Sequence, residues 1–469
     1  MNAPDLIERI ENFVYDDISL GQSARTVRTL TLADIQAFAA VSGDTNPAHL
    51  DPVYADATLF HGVIAHGMWG GALISALLGT VFPGPGTIYL HQALHFSRPV
   101  RVGDTLTVIV TVTAKEDEKK RVELDCQVIN QKGDCVLHGQ ARVLAPTQKV
   151  SMPRAHLPQI TLFDPLARFE ALLQLGEGLA PVPCAVVHPC SADALRAALQ
   201  AAERGLIEPL LIGPETRLRQ MAEEAGLDLA GVAIDPVPHS HAAAARAAEL
   251  AAQGRVEALM KGSLHTDELV RAVQAVAALQ TQRRMSHVFR VDVPMYPKPL
   301  LLTDCALNIR PGLQEKADIV QNAIGLAQVL GIARPKVAVL AAVETVHAEL
   351  PSTLDAAALC QMARRGQIKG GLLDGPLAFD NAISLQAARS KHLESEVAGD
   401  ADVLVVPDLE SGNLLANQLE YLAGATACGV ALGARVPIAL TSRADGVTAR
   451  VASALLAKLV AHQHRRVRP

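Results

Sequence analysis

Aromatic rings are scarce in this 469-residue sequence: Phe, Trp and Tyr together make up 3%, with a single Trp. Stacking platforms for single-stranded nucleic acid are therefore few. An excess of positive charge is missing as well. The 42 Lys and Arg stand against 48 Asp and Glu, a formal net charge of -6, so no basic footprint for a phosphate backbone is expected and nucleic acid is not an expected partner. The seven Cys are an odd number with no C-x-x-C pair, which fits reduced thiols in the cytoplasm better than a disulfide framework and suggests no zinc site. The start, MNAPDLIERIENFVYDD, has acids where an export signal needs a basic and then an apolar region. Between Asp56 and Arg98 no Asp, Glu, Lys or Arg occurs. A spanning helix needs about 20 predominantly apolar residues, and this run is interrupted by His61, His66, a Gly-rich start and the Pro83 to Pro85 turn. It reads as a helix buried in a core, and no membrane partner is expected.

What is present is a globular composition, 49% hydrophobic against 19% charged. At ~150 residues per domain the length allows two or three domains. Up to residue 146, TLTVIVTVTAKE, RVELDCQVINQKG and CVLHGQARVLAP alternate with period two and read as antiparallel strands, with a turn at Asn130 to Gly133. The small-residue segment Gly67 to Thr80 reads as a helix wrapped by that sheet, an α+β domain. Residues 147–160 carry Pro and no apolar period and are taken as a linker. From 161 to 469 the rhythm changes. CAVVHP, PLLIG, GVAIDP, EALMKGS, PLLLTD, KVAVLAAVE, GGLLDGP, DVLVVPD and PIALTS are short apolar runs separated by Ala-rich helical stretches. That alternation predicts an α/β domain with a mainly parallel sheet covered on both faces, long enough for two lobes.

Two constellations carry chemistry. The first is SGDTNPAHLD, which puts Asp44, Asn46 and His49 on one turn. A carboxylate and an imidazole so placed can share a water and exchange its proton. In the following HGVIAHGMWGG, Gly67 opens the buried helix, where free N–H groups and the helix dipole favour a negative ligand oxygen. These segments, over residues 18 to 145, resemble the MaoC-like (R)-specific enoyl-CoA hydratase family of the hot-dog fold. The resemblance implies that Asp44 and His49 activate water, Asn46 holds their loop, the Gly67 N–H is the oxyanion donor and Ser75 completes the site. The implied reaction is reversible hydration of a trans-2-enoyl-CoA to a (3R)-hydroxyacyl-CoA.

The second constellation is MKGSLHTDE, LTDCALNIRPGLQEKADI, DGPLAFDNA, PDLESGNLLANQL and TSRADG. Each follows an apolar run and precedes a helix, where open parallel sheets place ligands, and the five junctions suggest one cleft. Lys261, Ser263, His265 and Thr266 suit an anion at a helix N-terminus, and Ser442 with Arg443 offers a hydroxyl beside a guanidinium fork. Taken singly, such Ser, Thr and Asp most often cap helices. No P-loop or dinucleotide fingerprint occurs. In their order the five segments resemble the phosphate acetyl/butyryltransferase family over residues 165 to 465, of isocitrate dehydrogenase-like fold. The resemblance implies acyl transfer between CoA and inorganic phosphate without a tightly bound cofactor or a metal. Lys261, Ser263, His265, Thr266 and Arg443 then bind phosphate, and Ser442 contacts the thiol or thioester. Asp304, Asn308 and Asn413 are further cleft candidates. The family's catalytic aspartate falls on Ala449, leaving Asp445 as the nearer acid.

The expectation is a cytoplasmic bifunctional enzyme, a homodimer or higher homo-oligomer by resemblance, whose substrates are acyl-CoA and phosphate. Two alternatives fit the same residues: a transferase with a non-catalytic acyl-CoA-binding or dimerising hot-dog module, or a hydratase with an inactive transferase-like domain.

Overall fold

A computed structural model describes residues 9–154, 162–442, 445–467 and 469. Two units are separable, Met1–Leu162 and Phe163–Pro469. The first contains β1 (Arg9–Glu11), β2 (Ser23–Thr29), β3 (Ile88–Phe96), β4 (Thr105–Glu116), β5 (Arg121–Ile129), β6 (Cys135–Leu144) and β7 (Ser151–Pro153). Helices α1 (Leu32–Ser42), α2 (Pro47–Leu50), α3 (Pro52–Ala57) and α4 (Gly67–Thr80) lie between β2 and β3 in the chain. The strands form an antiparallel sheet in the order β2-β4-β5-β6-β3.

The period-two alternation is the cause of this sheet's one-sided core. Leu106, Val108, Val110 and Val112 of β4 and Val122, Leu124, Cys126 and Val128 of β5 are all buried, and they meet Ile74, Leu77 and Leu78 of α4. Each fully buried Val, Leu or Ile side chain contributes about 1.5–3 kcal/mol relative to exposure, so this seam dominates the unit's stability. Asn130 and Gly133 close the expected hairpin through a 3.0 Å backbone hydrogen bond. β7 arises inside the stretch expected as linker, paired with β1; three residues are too few to show a period. Of the expected linker, residues 155–160 lie outside the described residues.

In the second unit β8 (Val182–Val187), β9 (Ile207–Gly213), β10 (Ala233–Pro236), β11 (Ala258–Lys261), β12 (Ser286–Asp292), β13 (Leu300–Thr303), β14 (Lys336–Leu340), β15 (Leu372–Leu377), β16 (Val403–Val405), β17 (Thr426–Leu432) and β18 (Ile438–Ala439) form one sheet. Its order is β10-β9-β8-β11-β18-β17-β12-β13-β16-β14-β15. Two parallel blocks, β10 to β18 and β13 to β15, are joined through antiparallel pairings of β17 and β12. Those two joining strands are the ones the apolar runs do not announce. β12 carries the buried polar residues Ser286, His287, Arg290 and Asp292, and β17 opens with Thr426, Ala427, Cys428 and Gly429. Among the described residues no helix is long and apolar enough to cross a membrane.

Candidate functional site

In the first unit, α1 is opened by a Thr31–Asp34 capping box and ends at Gly43 in the left-handed region (φ +76°). A side chain at Gly43 would be strained, and this break turns the chain into the loop that carries Asp44. Asn46 then caps α2, its Oδ1 accepting from the Ala48 N–H at 3.1 Å, and Pro47 sits in the first turn, where its missing N–H costs nothing. His49 is half-buried, with Nδ1 2.9 Å from the carbonyl of Ile64. A carbonyl only accepts, so Nδ1 carries the proton and Nε2 is left as the acceptor. His66 lies against it, the ring centroids 3.9 Å apart. One ligand atom from each of Asp44, His49 and His66 lies within 4.8 Å of the others; among the described residues these are the only His, Cys, Asp and Glu groups gathered closely enough to share a cation.

His49, His66 and Gly67 border a cavity of about 340 Å³ whose wall is completed by apolar side chains including Trp69, Phe96, Leu106 and Leu137. Trp69 is thus both core and wall. No side chain caps the α4 N-terminus at Gly67; the Trp69 N–H donates to the His66 carbonyl at 3.0 Å, and the N–H groups of Gly67 and Met68 are left for a ligand oxygen. Ser75 does not join this group. It shares the exposed face of α4 with Met68 and Ala72, at the i, i+4, i+7 positions of one helix face.

In the second unit the loop after β11 approaches the loop after β8 so closely that a Cβ on Gly262 would lie 2.5 Å from the Val187 carbonyl oxygen. That approach seats Lys261, Leu264, His265, Thr266, Thr441 and Ser442 around a cavity of about 330 Å³. The Lys261 ammonium is buried and donates to the Thr441 carbonyl at 3.1 Å, so it braces the wall as well as lining it. Ser263 turns away to donate to Ser191 Oγ at 2.9 Å. The helix Thr266–Gln274 has no side-chain cap at His265. Asp445 accepts from the Ser442 N–H at 2.7 Å and lines a second cavity of about 470 Å³, with Ala449, Arg290, Asp292, Glu420 and Phe169 on its wall. Burial raises the Asp445 carboxyl above the usual range, against the pull of Ser442 N–H, Arg450 and Lys261. Burial and then the Asp445 charge raise Glu420 too. Arg443 lies outside the described residues.

The five junctions follow strands of two opposite directions. β12 runs antiparallel to β17, and β17 antiparallel to β18, so β12 is parallel to β18 and β11. β13 is antiparallel to β12. β13, which leads to Asp304, therefore runs opposite to β11 and β18, which lead to Lys261 and Ser442, although Met260, Ala439 and Thr303 lie level across the sheet. Asp304 and Asn308 are buried and engaged by protein: Asp304 accepts from the N–H groups of Ala306 and Leu307 and from the Asn308 amide, while Asn308 donates to the Met285 carbonyl and accepts from Arg284. They brace a loop in this chain. Asn413, on the helix Leu409–Tyr421, is exposed and bonded to Asn417.

Two residues escape a reading by motif. His66 precedes Gly67 in the chain, and its proximity to Asp44 and His49 is the signal. Arg450 is 3% exposed, and its guanidinium donates to the carbonyls of Asp445 (3.1 Å), Ser442 (3.1 Å) and Lys261 (3.5 Å). It therefore ties the β18 loop to the end of β11. A charged residue among the apolar positions of the helix Val447–Arg466, a feature shared with Lys458, is the only sequence trace of it.

Residues 238–458 match the family described as phosphate acetyl/butaryl transferase, and residues 18–132 match the MaoC like domain. A phosphate acetyltransferase of Rhizobium meliloti is 55% identical over 300 residues, 64% of this chain and 95% of that protein. Among solved structures, a branched-chain phosphotransacylase from Enterococcus faecalis aligns at 29% identity over 60% of this chain and 99% of its own, TM-score 0.53. R-hydratase PhaJ1 from Pseudomonas aeruginosa aligns at 47% identity over 33% of this chain and 100% of its own, TM-score 0.33. With the two-block α/β sheet and the hot-dog sheet wrapped on α4, the chain belongs to the phosphate acetyl/butyryltransferase family and carries a MaoC-like domain ahead of its transferase portion.

Proposed function

We propose that the second unit transfers an acyl group between CoA and inorganic phosphate, and that the first hydrates a trans-2-enoyl-CoA to a (3R)-hydroxyacyl-CoA. Family membership supports the first activity. The observation that carries the second is the convergence of Asp44 and His49 beside an uncapped helix end and an apolar cavity.

For hydration, a water donates hydrogen bonds to Asp44 and to His49 Nε2, the acceptor left by the Ile64 bond. As the water oxygen bonds to the β-carbon, its proton passes to the dyad and the double-bond electrons move toward the thioester oxygen, stabilised by the N–H of Gly67. Return of a proton to the α-carbon completes the addition. For acyl transfer, phosphate binds where Lys261, Thr266 and the N-terminus of Thr266–Gln274 converge. A phosphate oxygen attacks the thioester carbon, the C–S bond breaks, and CoA leaves as a thiolate held by Ser442. Asp445, its carboxyl raised by burial, is the proton partner nearest Ala449. No covalent acyl-enzyme enters this scheme.

A time course by mass spectrometry tests both halves. Full-length protein is incubated with phosphate and butyryl- and crotonyl-CoA, and every CoA product is followed. The expected result is 3-hydroxybutyryl-CoA together with free CoA and acyl phosphate. Acyl phosphate without hydration would make the MaoC-like domain a binding or dimerising module; hydration without CoA release would make the second unit silent.

A further inference from the structure

His66 is used by neither step above, yet it is 3% exposed and touches both members of the dyad. Its Nε2 lies 3.0 Å from the backbone carbonyl of Asp44. A carbonyl has no proton to give, so Nε2 is the donor and the neutral ring keeps its lone pair on Nδ1. That Nδ1 is buried with no hydrogen-bond partner. Buried polar atoms without partners are uncommon in folded proteins, and each calls for a reason.

The Asp44 loop shows what His66 supplies. Asp44 is exposed, and the other hydrogen bonds of residues 43–46 are local ones, to Ala39, Ser42, Ala48, His49 and within the loop. Among the described residues the bond from His66 is the one that joins this loop to a distant part of the chain. The His49 ring is oriented by its bond to Ile64 and by the face of His66, 3.9 Å away and tilted 34°. Phe38 of α1 lies 5.1 Å from the His66 ring and adds a packing contact.

We propose that His66 is a positioning residue for the hydration dyad: its Nε2–H holds the backbone of Asp44 and its ring sets the plane of His49, so that carboxylate and imidazole face one water. This rests on the hydratase reading. It is not a catalytic role, because the water has two O–H groups to donate and Asp44 and His49 accept both hydrogen bonds.

Full-length variants test it with crotonyl-CoA. His66→Ala is expected to lower kcat for hydration about 10²-fold, the scale of a displaced reacting group, while KM changes less than about threefold. His66→Gln, whose amide nitrogen can reach the Nε2 position, is expected to recover about tenfold of that loss, whereas His66→Phe, which keeps a ring without the donor, is not. Acyl transfer by the same preparations and an unchanged circular dichroism spectrum control for folding. Hydration by His66→Ala within threefold of wild type, a loss confined to KM, or equal activities of the Gln and Phe variants would overturn the proposal. A readout independent of turnover is the tautomer: long-range ¹⁵N–¹H correlation on histidine-labelled full chain should show His66 protonated on Nε2, and a proton on Nδ1 would overturn it. If wild type hydrates no enoyl-CoA while the Nε2 tautomer is found, it is the hydratase reading that fails, and the role of His66 falls with it.

Discussion

In the first unit, His66 reaches Asp44 across 22 residues and His49 reaches Ile64 across 15. In the second, Lys261 meets Thr441 across 180 residues and Arg450 meets Lys261 across 189. The first site is a local fold of loop and helix, set by an αL glycine, an Asn cap and a proline in the first helical turn. The second is assembled by strand pairing, with a buried guanidinium taking the place of chain proximity. A local site tolerates loss of distant contacts but not of its own residues. A site assembled over long range depends on the groups that hold its loops together.

That contrast is broken or sharpened by four measurements. The largest effect is expected for Asp44→Asn and His49→Ala, each lowering hydration of crotonyl-CoA about 10³-fold by removing a proton acceptor and leaving phosphate-dependent CoA release within about twofold. Loss of both activities together would contradict independent sites. Next, Arg450→Met, at a residue that lines neither cavity, strands three carbonyls and should lower acyl transfer about 10²-fold through misplacement of Ser442. Hydration by the same protein should be unaffected; a transfer rate near wild type would show that the loops hold without the tie.

Asp304→Ala comes third and reads on stability. The N–H groups of Ala306 and Leu307 and the Asn308 amide lose a buried acceptor, at a cost of about 2 kcal/mol, measured as a shift in the denaturation midpoint of the second unit. The smallest effect, about tenfold at neutral pH, is expected for acyl transfer in Asp445→Asn. Because burial raises this carboxyl, its basic form appears only at higher pH than an ordinary Asp allows, so wild-type transfer should rise with pH through that raised pKa. In Asp445→Asn this acidic limb should vanish; its persistence would assign the limb to another group.

Much of the molecule was legible locally. Alternation in TLTVIVTVTAKE predicts β4, and the small-residue run from Gly67 to Thr80 predicts α4, because in each case a single segment's burial writes its own period. The apolar runs of the second half likewise find the strands of both parallel blocks. β12 escaped because buried polar groups, Arg290 paired with Asp292 and His287 bonded to Leu440, interrupt the apolar signature, and β17 because Thr426 and Gly429 break its apolar run. Ser75 illustrates the remaining limit. Its distance along α4 is known from the chain, but which face of the helix meets the cavity depends on how α4 lies on the sheet.

The amino-acid sequence alone thus determined the two kinds of sheet, the span of the central helix, and the pairing of Asp44 with His49 on one turn. These follow from periodicity and capping, which act over a few residues. Only the tertiary structure decided that β13 runs against β11 and β18 and that Asp304 and Asn308 brace a loop. It also decided that Arg450 is an internal tie and that His66 bridges the dyad. The direction of β13 against β11 depends on the pairings of β11 with β18 and of β12 with β17, between segments more than a hundred residues apart, and their energies appear only when the strands meet.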